Sequence, residues 1–288
     1  MDLKRTADEF RAVADRARAE GRTVGFVPTM GAFHEGHLSL IRRARDACDL
    51  VAVSLFVNPL QFGPGEDLAA YPRDLDRDLA IAEDEGVDVV FAPAVEEMYP
   101  RGRPEVTVDP GPLGERLEGA SRPGHFRGVL TVVAKLFHQV GPSRAYFGEK
   151  DFQQLVLVRL MAASLSFPVE VVACPTVREP DGLAKSSRNV FLSSGERTAA
   201  LCLFEGLQAA AKRVRDGDRE ASRVAAEIAD RVRAEPVAEL DYAAVVDERT
   251  LDQADRIEGP VRALVAARVG TTRLIDNLRL APGGDPSG

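Results

Sequence analysis

Cysteine and histidine are scarce in this 288-residue chain, at three and four residues. Cys48, Cys174 and Cys202 are unclustered and sit in apolar surroundings, so they read as small core residues and no disulfide framework is implied. Long hydrophobic runs are lacking too. No apolar stretch reaches the roughly 18 residues a membrane span needs, and Met1-Asp2-Leu3-Lys4-Arg5 leads into a charged helix and not a signal peptide. The expected setting is cytoplasmic, with no membrane partner. A basic surplus is missing as well. With 37 Lys and Arg against 45 Asp and Glu, the formal charge of -8 argues against a sequence-independent grip on nucleic acid. Small anions must then be bound by local positive groups. There is no internal repeat or low-complexity tract, and the closing Gly283-Gly284-Asp285-Pro286-Ser287-Gly288 reads as a frayed tail.

What is present is an alternation of strand-like and helix-like segments through the first 175 or so residues, the pattern of a parallel sheet built from βαβ units. Five strands are expected: Thr23 to Val27, Leu50 to Phe56, Val87 to Phe91, Arg144 to Phe147 and Val169 to Cys174. Helical spacing lies between them, as in Leu75, Leu79, Ala82 and in Val129, Val132, Val133, Leu136. This predicts an α/β fold, a Rossmann-like doubly wound parallel sheet. After Cys174 come two long polar-faced helices, Ser194 to Asp216 and Asp218 to Ala234. Strand-like runs follow at Asp241 to Asp247, Val261 to Val269 and Thr272 to Leu280, which reads as a smaller α+β domain. The length fits about two domains, placed at 1–176 and 177–288.

The polar and glycine-containing clusters each follow a predicted strand, the edge where open parallel sheets bind ligands. After the first strand, ended by Pro28, comes Met30-Gly31-Ala32-Phe33-His34-Glu35-Gly36-His37. A helix should start here, with Leu40, Ile41, Ala44, Ala47 and Cys48 inward and Arg42, Arg43, Arg45 and Asp46 outward. Its unpaired N–H groups and positive dipole end favour an anion, and the two imidazoles add ring donors to a phosphate. Two histidines three apart are also open to reading as a metal pair or as surface residues. Metalloprotease spacing needs histidines four apart, and only His125 and His138 remain as further imidazoles. Gly148-Glu149-Lys150-Asp151-Phe152-Gln153-Gln154 is a second strand-to-helix junction. Lys150 suits a phosphate there, while Asp151 and Gln154 also fit a capping box. Lys185-Ser186-Ser187-Arg188-Asn189 offers two cations and two hydroxyls, suited to a polyphosphate clamp or to a polar linker. Asn58 and Gln61 flank Pro59 and present amides to a polar acid or make an ordinary turn. Arg122-Pro123-Gly124-His125-Phe126-Arg127 brings cations to a tight turn, either for the site or as punctuation.

Taken together, Met-Gly-x-x-His-Glu-Gly-His, Phe-Val-Asn-Pro-x-Gln-Phe, Gly-Glu-Lys-Asp-x-Gln-Gln and Asp-Gly-Leu-Ala-x-Ser-Ser-Arg-Asn resemble the pantothenate synthetases, the pantoate–β-alanine ligases, in order and spacing. The resemblance extends to Gly270-Thr271-Thr272-Arg273-Leu274-Ile275-Asp276-Asn277 and so spans nearly the whole chain. It implies the nucleotidyltransferase-like form of the fold, with the smaller domain as a lid. It also implies ATP-dependent adenylation of pantoate and attack by β-alanine to give pantothenate and AMP, with Mg²⁺ riding on the ATP phosphates and no metal cage of protein ligands. Met30 to His37 would bind ATP, with His34 and His37 on its phosphates and His37 as proton donor. Gly148, Glu149, Lys150, Asp151, Val177, Lys185, Ser186, Ser187 and Arg188 would complete the nucleotide site, Lys150 with a catalytic role. Gln61 and Gln154 would hold pantoate, with Asn58, Arg122 and His125 alongside, and β-alanine would enter beside Gln61. A homodimer is implied. Two departures from the family pattern are Lys185, where Met is frequent, and Phe33, where Leu is common. Rival readings are a nucleotidyltransferase acting on a phosphorylated acceptor, a class I aminoacyl-tRNA synthetase and a noncatalytic nucleotide sensor.

Overall fold

The structure is a computed structural model that describes residues 1–66 and 68–282, so the expected tail at 283–288 lies outside the described residues. The chain divides into two compact units. The first is Met1–Glu149 with Gln153–Cys174; the second is Lys150–Phe152 with the chain from Pro175 onward. Lys150–Phe152, inside the span expected for the first domain, thus packs with the second.

The strands of the first unit are β1 (Asp2–Lys4), β2 (Val24–Thr29), β3 (Leu50–Leu55), β4 (Val89–Phe91), β5 (Ser143–Gly148) and β6 (Val169–Cys174). They form one parallel sheet in the order β1-β4-β3-β2-β5-β6. The sequence leads outward from β2 through β3 to β4 and then returns to the other side of β2 with β5, which places the switch in strand order between β2 and β5. Helices α1 (Ala7–Ala19), α2 (Glu35–Ala47), α3 (Leu75–Asp84), α4 (Val95–Met98), α5 (Glu118–Ser121), α6 (His125–Val140) and α7 (Phe152–Ser164) fill the connections. Successive strand residues point to opposite faces. Phe26 accordingly packs with Phe10 of α1, while Val27 joins Leu40, Ile41 and Ala44 of α2 and Ala82 of α3. The sheet is therefore covered on both sides, as its near-continuous apolar strands require.

Four expectations need correction. Pro28 does not end the first strand: β2 continues to Thr29, with Pro28 opposite Ser54 and Thr29 opposite Leu55. Thr29 O accepts from Phe56 N, so the missing N–H of Pro28, one residue earlier, faces the β5 side, where pairing stops at Phe26–Ala145. A sixth strand, β1, pairs with β4 at the sheet edge, where three residues suffice and no apolar alternation announces them. Ala47 is exposed and is not part of the inward face of α2. The first long helix after Cys174 is two: α8 (Ser194–Ala199) and α9 (Leu201–Arg215), meeting at Ala200 without a Gly or Pro to mark the break.

In the second unit α9 and α10 (Ala221–Arg233) pack on an antiparallel sheet of β7 (Ala238–Asp247), β8 (Val261–Val269) and β9 (Thr272–Leu280), in that order. Leu203, Leu207, Val224 and Ile228 meet Val245, Val265, Ala267 and Leu274 in its core. Cys48, Cys174 and Cys202 are buried free thiols, as expected of core residues. Among the described residues no helix is long and apolar enough to cross a membrane.

Candidate active site

The Met30–His37 loop leaves β2 at the switch point. Gly31 (φ +83°) and Ala32 (φ +54°) both adopt left-handed backbone, a conformation that disfavours any residue with a Cβ. The side chain of Asp78 holds the turn. This carboxylate, on a residue 3% exposed in the first turn of α3, accepts from Ala32 N at 2.7 Å and Phe33 N at 2.9 Å. A Cβ at Gly31 would stand 2.7 Å from Asp78 Oδ2, so both sterics and φ require glycine there.

His34 is the N-cap of α2. Its Nδ1 accepts from Gly36 N at 3.1 Å, and His37 Nδ1 accepts from His34 N at 3.4 Å, a reciprocal capping pair with ring centroids 4.1 Å apart. With Nδ1 accepting, a neutral ring carries its proton on Nε2, so that nitrogen has the character of a hydrogen-bond donor. The His37 ring also packs on buried Phe33, 5.6 Å between centroids. Glu35, in the first turn, pairs with Arg42 two turns further along the same face. In each histidine Nδ1 is engaged in capping the helix.

After β3, Asn58 caps a 3-10 turn at Pro59–Gln61. Asn58 is 1% exposed, and its Oδ1 accepts from Leu60 N and Tyr99 Oη while its Nδ2 donates to Gln61 Oε1 and Gly128 O. Burial pushes the Tyr99 hydroxyl pKa up, which keeps it a donor. Gln61 is half-buried; its Nε2 lies 3.2 Å from Met30 Sδ, which brings the second motif onto the first. Behind it, His125 Nδ1 lies 2.9 Å from Gln61 O and Arg122 Nη1 lies 3.1 Å from His125 Nε2. Arg122 also holds Glu66 through two hydrogen bonds, 2.8 and 2.6 Å. Burial, followed by the neighbouring Arg122 charge, lowers the His125 pKa to about 4, so it is neutral with Nδ1–H donating to Gln61 O. Burial raises the Glu66 pKa, but its Arg122 hydrogen bonds and charge prevail and leave it below the ordinary carboxylate range. Asn58, Arg122 and His125 therefore grip the Gln61 turn from within the protein.

After β5, Gly148 leads into a 3-10 turn, Glu149–Asp151, and then α7. Gln153 is buried and holds the 113–118 segment, accepting from Glu118 N and donating to Leu113 O and Arg116 O; Gln154, its neighbour, is half-buried. In the second unit Lys150 Nζ stands 3.9 Å from the Asp151 carboxylate. The segment from Val177 folds back as a hairpin: Arg178 bridges Ala184, Lys185 N donates to Val177 O, and Lys185 Nζ pairs with Glu179 at 2.8 Å. At its tip Gly182 (φ +101°) lies against the Phe204 ring, where a Cβ would come within 2.1 Å. Ser186 then caps a 3-10 turn, Ser187–Phe191, through Arg188 N, so the two hydroxyls and two cations of 185–188 follow directly on a hydrogen-bonded base.

Sequence reasoning missed Asp78, Tyr99 and Glu66. Each acts through a distant partner, and none stands in a recognisable spacing with it. Only the burial of Asp78 and its short contacts to amides 45 and 46 residues away mark it.

A doubly wound parallel sheet with a two-histidine helix start at its switch point defines a nucleotide-binding α/β protein of the nucleotidyltransferase-like type. Similarity to known proteins narrows the class. The profile of the Pantoate-beta-alanine ligase family matches residues 2–279, and the chain belongs to that family. A pantothenate synthetase of Rubrobacter xylanophilus is 55% identical over 285 residues, covering 96% of this chain and 98% of that protein. One from Roseiflexus castenholzii is 56% identical over 277 residues, with the same coverage. The crystal structure of pantothenate synthetase from Thermus thermophilus superposes with a TM-score of 0.92 at 50% identity, covering 98% of this chain and all of that one. The Francisella tularensis pantoate-beta-alanine ligase, complexed with beta-gamma ATP and beta-alanine, matches at TM-score 0.80 and 34% identity over the full length of both chains.

Proposed function

We propose that this chain joins pantoate to β-alanine in two steps at the residues described above. The family's overall reaction, an ATP-dependent ligation of these two substrates, follows from the match across residues 2–279, and that match is the observation that carries the reading. In the first step a pantoate carboxylate oxygen attacks the α-phosphorus of ATP, and the bond to the β-phosphate oxygen breaks. Pyrophosphate leaves with the electron pair. In the second, the β-alanine amine attacks the acyl carbon, the carbon–oxygen bond to AMP breaks and the amine loses a proton.

Both steps bring negative groups together, so the protein's main task is to neutralise charge on the phosphates. The Nε2–H donors of His34 and His37, with the first-turn amides of α2, face the nucleotide in this reading, and His37 is the proton donor. Lys150, Lys185 and Arg188, with the hydroxyls of Ser186 and Ser187, complete the neutralisation. The backbone of Met30–His37, of Gly148–Asp151 and of Val177 shapes the nucleotide site. Gln61 and Gln154 hold pantoate and β-alanine enters beside Gln61. Asn58, Arg122 and His125 serve the same substrate by fixing Gln61. Mg²⁺ would ride on the ATP phosphates and, when bound there, would offset part of their charge. The smaller domain, 177–288, acts as a lid that keeps water from the adenylate. A homodimer, the commonest closed assembly, and a cytoplasmic setting, supported by the three buried free thiols, complete the proposal.

The test is pyrophosphate exchange. Enzyme, ATP, Mg²⁺ and pantoate without β-alanine should carry labelled pyrophosphate into ATP. If exchange is absent while all three substrates still give AMP and pantothenate, the stepwise route falls. A monomer mass in light scattering across micromolar concentrations would remove the dimer.

A further inference from the structure

The C-terminal motif Gly270–Asn277 carries no role in the reaction as described so far, yet it ends in two buried polar residues on β9. Asp276 is 4% exposed and Asn277 3%. They stand opposite Val265 and Leu264 of β8, in the middle of a ladder with apolar neighbours. As consecutive strand residues they project from opposite faces, and each reaches a different loop.

Asn277 reaches the Lys150 turn. Its Nδ2 donates to Lys150 O at 2.9 Å and its Oδ1 accepts from Arg262 Nη1 at 3.1 Å. Those two partners fix the orientation of the amide, because a carbonyl must meet a donor and a guanidinium an acceptor. Arg262 is itself held by Glu248 Oε1 at 3.1 Å and lies 4.0 Å over the ring of Phe152, two residues past Lys150. Asp276 reaches the hairpin. Its two oxygens take Arg178 Nη1 and Nη2 at 2.6 and 2.9 Å, and the same guanidinium donates to Gly182 O and Asn277 O and lies 4.2 Å over Phe204. Arg178 is the residue that pairs with Ala184 at the base of the Lys185–Arg188 segment. Asp276 Oδ1 also accepts from Asn277 N at 2.7 Å, so the two anchors are locked to each other.

We infer that Asp276 and Asn277 are a positioning pair for the phosphate-handling cations: Asn277 sets the turn that carries Lys150, and Asp276, through Arg178, sets the hairpin that carries Lys185 and Arg188. This rests on the proposed contact of those cations with ATP. Neither residue of the pair touches substrate. Their contribution is the placement of charge, which is effective only when held to a fraction of an ångström.

The discriminating variant is Asn277→Asp. It keeps the size and the acceptor for Arg262 but cannot donate to the Lys150 carbonyl. Turnover should fall at least about tenfold, with a raised KM for ATP, the loss expected when a charge-bearing group drifts by about 1 Å. The melting temperature of the ligand-free protein should fall as well, since the Lys150 carbonyl loses its donor, so the coupling to Lys150 and not the loss of turnover alone separates positioning from stability. In the Lys150→Met background the same substitution should cost less than about twofold, since the group it positions is gone. Asp276→Asn should be coupled in the same way to Arg188→Met. Independent multiplication of the Asn277→Asp and Lys150→Met effects, or normal turnover of Asn277→Asp, overturns the inference. Near-normal turnover of Lys150→Met alone overturns the reading of Lys150 beneath it instead. If Asn277→Asp does not fold, Asn277→Ser, which also loses the reach to the carbonyl, enters the same cycle with the same outcomes.

Discussion

At the start of α2 the side chains proposed to meet ATP also hold their own backbone: His34 Nδ1 takes Gly36 N and His37 Nδ1 takes His34 N. At Lys150 the arrangement is reversed. The backbone is held by Asn277 through the lysine carbonyl, and the ammonium stands 3.9 Å from the Asp151 carboxylate. In the first region one ring caps the helix and is also the group proposed to act on ATP, so a substitution would mix the two effects. In the second, other residues do the holding and the charge can be removed alone. A group that caps a helix is hard to test for catalysis; a group held by its neighbours is easy.

The largest effect is expected at His37, where both roles are lost at once. His37→Ala should lower turnover about a hundredfold or more, the scale of one lost transition-state donor, and lower stability by about 1 kcal/mol, the scale of a lost cap. Steady-state kinetics and denaturant melts on one preparation read both numbers. Near-normal turnover would remove His37 from the chemistry and leave it a cap. Lys150→Met should cost about a hundredfold in turnover with the melting temperature within about 2 °C of the parent, because the carbonyl contact to Asn277 survives. A variant that melts early yet turns over normally would place Lys150 on the structural side of the comparison.

The third expectation concerns pH and lies wholly in the first unit. His125 has an ordinary pKa of 6.5 and a folded one of about 4, held down by burial and then by Arg122, against the opposing pull of Gln61 O, Glu118 and Glu66. Between those values the unfolded chain binds a proton that the folded chain refuses. Stability therefore rises with pH through this window and is lost as pH falls from 6.5 toward 4, by up to about 3 kcal/mol. His125→Gln, which removes the titration, should flatten the acid limb of melting temperature against pH. Parallel curves for variant and parent would show that His125 does not carry the effect. The smallest change is expected for Lys185→Met, which removes the half-exposed pair with Glu179. Such pairs contribute about 0–1 kcal/mol, so stability should hardly move while the KM for ATP rises a few-fold. An unchanged KM would leave Lys185 a hairpin staple only.

Much of this was open to sequence reasoning because the relevant forces are local. β6, β8 and β9 match their expected bounds, since each is an uninterrupted apolar or alternating run closed by turn chemistry. The four motif loops follow their strands for the same reason. What escaped was set by contacts distant in sequence. Asp78 looks like any acid in a first helical turn, and only the folded chain brings it to Ala32 and Phe33. Asn58 looks like a substrate amide in sequence, and only the folded chain brings Tyr99 and Gly128 to its two ends. The break at Ala200 and the passage of β2 through Pro28 depend on neighbours in space that no local pattern encodes.

Asp78 has one more implication. The loop that the sequence marks for anions already contains an anion of its own, a carboxylate seated on two of its amides. Inorganic phosphate or sulfate therefore finds those two donors taken, and cannot collapse the turn around itself as it does in loops whose amides stand open. The mould is set before the nucleotide arrives. ATP need not order the turn on binding, and under the proposed function its recognition would pass to the imidazole donors and helix amides just beyond, so that a simple oxyanion would be a poor mimic of it.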